Sequence, residues 1–445
     1  MSEVAPDAPP APITHRRVLR LAGPIVLSNA TVPILGAVDV GVVGQLGEAA
    51  PIGAVALGAI VLATAYWIFG FLRMGTTGLV GQAEGAGDHA EVSAILTRAL
   101  MIAAAGGVLL ILAYPLIVFA AFAWDPTTPE VEALARQYLS IRIWTAPCAI
   151  AVFAVTGWLV AMERTVGVFW VQFVMNGLNI LLDLWFVLGL GWGVPGVAIA
   201  TAIAEVSGAA LGLWLCRDAF RHPEWRNWDR VFDRARLVRM AVLNGDILIR
   251  SALLMAIFTS FTFLGATFGE VTLAANEVLI QFMYITAYAM DGFAFAAETL
   301  IARAVGRGDR DRIRQSAVMT SIWGAITATA MALGFLLAGP WLIDVMAKAP
   351  EVQAEAKGLL WWTVTAALIG WPAWMLDGIF IGATRGRDMR NMMIVSALIY
   401  VAALVVLIPA FGNHGLWMAF LVSLVARGIT LGLRYPSIEA EARAA

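Results

Sequence analysis

Of the 445 residues, 60% are apolar and 13% are charged, the net charge is -2, and the mean hydropathy is strongly positive. A soluble domain is about half apolar and a quarter charged, so this composition excludes a soluble globular protein and points to an all-α polytopic protein of the lipid bilayer. The near-zero net charge decides nothing, because in membranes the placement of charge matters more than its sum.

Residues 1–14, "MSEVAPDAPPAPIT", are Pro-rich and polar and read as a disordered tail. They lack the order of a signal peptide, and the apolar segment that follows is too long for one. Twelve stretches then recur that are long enough to cross about 30 Å of hydrocarbon. They lie at roughly 15–44, 50–82, 90–123, 129–163, 165–189, 193–217, 236–267, 271–305, 310–338, 350–383, 388–411 and 413–434. Turn chemistry separates them, as in "AWDPTTPE", "GLGWGVPG", "GRGDRD" and "FGNHG". Cys148 and Cys216 fall in or beside apolar segments, outside any metal-ligand spacing, and read as small buried hydrophobes.

The basic residues alternate by side. Arg16, Arg17 and Arg20 stand at the start of span one, seven arginines from Arg217 to Arg239 follow span six, and further clusters follow spans eight and ten. The two lysines, Lys348 and Lys357, fall near the opposite loop between spans nine and ten. By the positive-inside rule both termini are cytoplasmic. This alternation accounts for the basic loops without a nucleic-acid partner.

The chain also repeats itself. "GFLRMGTTGLVGQAEGAGD" (70–88) aligns with "MDGFAFAAETLIARAVGRGD" (290–309), and "GVPGVAIA" (193–200) with "GNHGLWMA" (412–419). Six spans per copy is an even number, so both copies share one orientation. Two six-helix lobes follow, 15–217 and 236–434, joined by a basic linker at 218–235 and ending in a tail at 435–445. The interface between such repeats is where transporters bind substrate.

The segment "NILLDLWFVLGL" (179–190) sets an amide and a carboxylate one turn apart in an apolar helix. A charge at the centre of a helix costs about 2.5–3.5 kcal/mol on insertion scales, so it calls for a partner or a function. At 1.5 Å per residue, Asp39 lies about 38 Å along span one, and Asn179 and Asp183 about 21 and 27 Å along span five. Thr201 lies about 12 Å into span six, and Tyr138 is similarly placed in span four. All five fall in the outer half of the first lobe, and no Arg or Lys of spans one, five or six lies at that depth. Their repeat mates are apolar: Asp39 maps to Phe261, Asn179 to Leu398, Asp183 to Ala402 and Thr201 to Phe420. Residues required only by the fold should recur in both lobes, and these do not. Two carboxylates in a dry pocket titrate as a unit and suit a carried proton, while the same oxygens suit Na⁺.

In order along the chain, "NATVPILGAVDVGVVGQLG" (29–47), "FLRMGTTGLVGQAEGAGD" (71–88), "NILLDLWFVLGL" (179–190), "GVAIATAIAE" (196–205), "AYAMDGFAFAAE" (287–298) and "LDGIFIGATRGRDMRN" (376–391) resemble the multidrug and toxic compound extrusion (MATE) family, in its DinF-type branch. The resemblance covers about 15–434. It implies a monomeric twelve-helix antiporter of the bacterial cytoplasmic membrane, exporting amphipathic, cationic compounds against inward H⁺ or Na⁺, with H⁺ favoured. It needs no other cofactor and no resident metal. The family's first-lobe site falls on Asp39, Asn179, Asp183, Thr201 and Tyr138. Some branches carry second-lobe acids at positions this chain does not match, where Asp291, Glu298 and Asp377 are the nearby candidates.

Arg73 and Glu298 lie on the repeat-mate spans two and eight, and an ion pair between them would close the inner end of the cleft. Asp246 and Arg250, four apart on span seven, read as a self-satisfying pair, and Asp88 and Asp309 as caps or loop charges. A lipid-linked sugar flippase of the same wider superfamily is the rival reading. It requires a strongly cationic cleft, whereas Arg73, Arg142 and Arg250 are the arginines well inside spans. A membrane enzyme is disfavoured because there is no HExxH, no GxSxG in a plausible context and no histidine cluster.

Overall fold

The computed structural model describes residues 12–31, 38–39, 41–45, 48–123, 128–221 and 223–441, and these contain helices and no strand. Among the described residues, eleven helices are long and apolar enough to cross a membrane: Ala49–Gly85, His89–Leu112, Pro129–Ala161, Thr165–Gly189, Gly193–Leu215, Arg234–Ala266, Glu270–Gly306, Arg310–Met346, Pro350–Gly382, Gly386–Phe411 and Asn413–Glu441. They are spans two to twelve of the expected series. Span one enters as His15–Ala30 and has further helical residues at 38–39 and 41–44. Hydrocarbon enforces this architecture, since only a helix satisfies its backbone polar groups from within.

Polar caps set several helix starts. Thr14, Asp88, Asp233 and Asp309 each accept a hydrogen bond from the backbone N–H three residues on. Proline and irregular turns shape the interiors. Span four is helical over Pro129–Arg142 and Ala146–Ala161, with a 3₁₀ turn between them where Pro147 cannot donate. Span five ends in a π-helical turn, Leu184–Gly189, directly after Asp183. Such turns are frequent at functional sites. Pro24 lies inside the first helix; Pro33, with much of the 29–47 motif, lies outside the described residues.

The helices form two lobes, and the starting parts of spans one and seven pack across their junction. Val18, Leu21 and Ala22 of span one pack into the second-lobe core with Met290, Leu300 and Phe380. Reciprocally, Met240, Leu243 and Ile247 of span seven join the first-lobe core. Spans two and eight cross where the lobes meet, and the repeat is visible there atom by atom. Gly81 packs on Ala302, its own mate, while Gly85 abuts the Arg303 carbonyl and Gly306 abuts the Gln82 carbonyl. Close packing of small residues is what binds helices in lipid, where the hydrophobic effect is absent.

The start of span one and the end of span twelve lie on one face, here called the basic face. His15 accepts a hydrogen bond from Trp323 Nε1 at 3.1 Å, and Arg310, which starts span nine, pairs with Glu439 at 3.3 Å. The last helix runs past the expected end at 434 to Glu441, held by Arg385 at 2.7 Å. The linker is ordered as short helical turns and docks on span three, where Arg98 donates to the carbonyls of Val231 and Arg230 at 2.8 and 2.7 Å.

Candidate functional site

In the first lobe the structure brings Asp39, Asn179, Asp183, Thr201 and Tyr138 together. Asn179 and Asp183 are fully buried on one face of span five, where the i, i+4 spacing puts them. The Asn179 amide, with its nitrogen turned toward the acids, donates to Asp39 Oδ1 at 3.0 Å and Asp183 Oδ2 at 3.3 Å and accepts from the Thr201 hydroxyl at 3.0 Å. The Asp39 and Asp183 carboxyls are within hydrogen-bonding reach of each other. Asp183 Oδ1 has no hydrogen-bond partner among the described residues, which leaves one acceptor open in an otherwise satisfied set. One turn before Asn179, Asn176 donates to Thr31 at 2.7 Å, tying span five to span one at the end of its first helix.

The count along spans one, five and six holds, but span four brings a cation within electrostatic reach of the acids. Arg142 follows Tyr138 by one turn and donates to its hydroxyl at 2.6 Å. Its other end pairs with Glu205, one turn beyond Thr201 on span six, and Glu205 also accepts from Thr145. The Arg142 guanidinium acts electrostatically on both Asp39 and Asp183. Sequence reading missed Arg142 and Glu205 as site members. The signal was available in the four-residue spacings Tyr138/Arg142 and Thr201/Glu205, each placing a charge on the same face as a chosen site residue.

Two mates of this site, Phe261 and Phe420, belong to an aromatic core in the second lobe, whereas Leu398 and Ala402 are exposed. Phe261 and Phe420, which stand where Asp39 and Thr201 stand in the first lobe, pack edge to face at 5.4 Å, with Trp417 4.8 Å from Phe261.

A second polar cluster bridges the lobes. Arg73 of span two donates from both terminal nitrogens to Glu298 of span eight, at 2.9 and 3.2 Å. Arg250 pairs with Asp377, and Arg427 stands 3.8 Å from the same carboxylate. Asp291 forms no ion pair within 4.0 Å among the described residues, yet it lies within the electrostatic reach of Arg73, Glu298, Arg250 and Asp377. Two expectations are corrected here. Arg250 does not pair with Asp246, which is held at 2.5 Å by Arg390 of span eleven; the tertiary partners outcompete the local one. Arg427 of span twelve, only 3% exposed, adds an intramembrane arginine to the three singled out. Glu84 and Arg303, which follow Arg73 and Glu298 on the same two helices, are engaged elsewhere: Arg303 stands 3.1 Å from Glu163 and 3.9 Å from Glu84. Toward the basic face the lobes are sealed further, with Thr299 donating to the Val160 carbonyl at 2.9 Å and Gln82 to Thr384 at 3.0 Å.

A twelve-helix, two-lobed bundle with intramembrane carboxylates at one lobe's core and an ionic bridge between lobes defines a membrane transporter. The chain belongs to the MATE family of efflux transporters: the MatE family model matches it twice, over 24–185 and 247–406, once per lobe. It is 36% identical to DNA damage-inducible protein F of Escherichia coli K12, over 94% of this chain and 91% of that one. It is 28% identical to a probable multidrug resistance protein NorM of Rhizobium meliloti, over 95% and 93%. Among solved structures, the Vibrio cholerae MATE transporter VcmN in its bent form superposes with a TM-score of 0.87 at 18% identity, covering 97% of this chain and 98% of that one, a likeness of fold.

Proposed function

We propose that this protein is an H⁺-coupled antiporter that exports amphipathic organic cations from the cytoplasm by alternating access, with its coupling site at Asp39, Asn179 and Asp183 and accessory contacts from Tyr138 and Thr201. It works as a monomer in a bacterial cytoplasmic membrane, with the basic face and both termini inside. The observation that carries this reading is the Asn179 amide bridging two carboxylates in one lobe only. A pair of acids that the fold does not require, held so that one acceptor remains open, suits a proton that is bound and released in each cycle.

The preference for H⁺ over Na⁺ rests on Arg142. A guanidinium within electrostatic reach of both acids disfavours a second cation among them, whereas a proton binds to one oxygen and needs no ligand shell. The flippase reading loses support at the lobe interface, where three arginines are matched in number by Asp291, Glu298 and Asp377 and offer no unbalanced positive patch to a pyrophosphate. Inside-out vesicles with separately imposed pH and Na⁺ gradients test the proposal. Uptake of a fluorescent organic cation should follow the pH gradient alone, and uptake driven only by Na⁺ would reject proton coupling.

A further inference from the structure

Arg73 is the one first-lobe residue in the six-charge cluster between the lobes, and the second lobe receives it as it would a ligand. Both terminal nitrogens meet Glu298 in a fork-to-fork pair, a strong and directional arrangement. The guanidinium carbon lies 3.8 Å from the centroid of the Phe295 ring. Asp291 adds long-range attraction. Asp291, Phe295 and Glu298 follow one another at i, i+4 and i+7, so a single face of span eight presents all three. A carboxylate and an aromatic face enclosing a delocalised positive charge are the recognition chemistry for organic cations.

The charges specify what fits. Arg73, Arg250 and Arg427 balance Asp291, Glu298 and Asp377 while the lobes are closed at the basic face. If the first lobe withdraws, Arg73 goes with it, and the second lobe keeps two positive charges and three negative ones. Glu298, its side chain 1% exposed in the closed state, then loses its one ion-pair partner among the described residues. An unpaired charge at this depth is costly, and one monovalent cation removes the deficit. A dication overshoots it, and a neutral compound leaves it unmet.

We propose that Glu298, Phe295 and Asp291 form the seat for the exported organic monocation, and that Arg73 is a tethered competitor that retakes this seat as the basic face closes and so displaces the cargo outward. The proposal rests on the export reading above and adds the site and the charge of the cargo to it. Arg73 then does two things at once: it closes the inner end of the cleft and prevents cargo from staying bound behind the closure.

Equilibrium binding of tetraphenylphosphonium to the purified full-length protein tests this, with the neutral triphenylphosphine oxide in parallel. A docked competitor raises the apparent Kd by the fraction of molecules it occupies. Arg73→Gln should therefore bind tetraphenylphosphonium about tenfold tighter than the parent, ~1.4 kcal/mol, with the neutral probe unmoved. Glu298→Gln added to Arg73→Gln should cancel the gain. Affinity unchanged or weakened in Arg73→Gln overturns the seat, as does equal tightening for both probes. Phe295→Leu provides a second route if Arg73→Gln does not survive purification: it should weaken the cation and spare the neutral probe, and equal loss of both overturns the seat. Parent protein that shows no cation efflux at all refutes the export reading instead, so the two failures are distinguishable.

Discussion

Arg142 and Glu205 form an ion pair inside the first lobe, with less than an eighth of either side chain exposed. The pair holds a positive charge within electrostatic reach of Asp39 and Asp183 without letting it settle on them, because Glu205 and the Tyr138 hydroxyl occupy its terminal nitrogens. Breaking a buried pair from one side costs about 3–5 kcal/mol, since the other charge is stranded, whereas replacing both partners is often neutral. Arg142→Leu should therefore lower the apparent melting temperature far more than the double variant Arg142→Leu/Glu205→Leu. A single variant that melts with the parent would show that Glu205 finds another partner.

Asp39→Asn and Asp183→Asn should each reduce efflux to the level of cells lacking the protein, with normal abundance in the membrane. Asparagine keeps the size and the hydrogen bonds to Asn179 but carries no exchangeable carboxyl proton. Thr201→Val removes one neutral hydrogen bond to Asn179, worth about 1 kcal/mol, and should slow transport several-fold without stopping it. Whole-cell efflux normalised to immunoblot abundance measures all three, and full activity in either aspartate variant removes that residue from the coupling step.

The spans were legible because each is a run of apolar residues bounded by turn residues, and hydropathy registers that directly. Asn179 and Asp183 were legible for the converse reason: polar groups stand out against such runs. Partners on other helices were not. The local rule pairs Asp246 with Arg250, but Arg390 and Asp377, far along the chain, take those two residues apart. Glu205 went unnoticed because its partner lies on span four, and a single sequence does not say which helix faces which. The exception is Arg73 with Glu298, whose spans are related by the internal repeat and so meet at its axis.

Span one carries Asp39 beyond its first helix, and Asn176 holds Thr31 at the end of that helix. Protonating Asp39 weakens the bond it accepts from Asn179 and turns its contact with Asp183 from repulsion between carboxylates into a shared proton, so the position of this segment follows the proton. A spin label at Gly44, paired with one at Leu184, should report distances that differ between low and high pH, and Asp39→Asn should fix one of the two at every pH. Identical distances across pH in the parent would detach the movement of span one from protonation.

Gly85 and Gly306 are repeat mates, and each lies against the other helix's backbone. A Cβ added to Gly85 would sit 2.2 Å from the Arg303 carbonyl oxygen, and one on Gly306 would sit 2.0 Å from that of Gln82. Neither neighbour is a flexible side-chain end, so spans two and eight must separate to admit a methyl group. Overpacking of this kind costs about 1–3 kcal/mol, and the cost falls only on the state closed at the basic face. The helix itself gains, since alanine exceeds glycine in helix propensity by about 1 kcal/mol, so local unfolding is not the expected outcome. Gly85→Ala and Gly306→Ala should thus keep the protein folded and shift its population toward opening at the basic face. Thr299 reports this shift, being fully buried and bonded to Val160 across the lobe junction. With Cys148 and Cys216 replaced by alanine, Thr299→Cys should resist a membrane-impermeant thiol reagent applied from the basic face and should react once Gly85→Ala is added. Equal reactivity in both backgrounds would mean that the helices absorb the methyl group by sliding, and that this crossing does not set the balance between the two states.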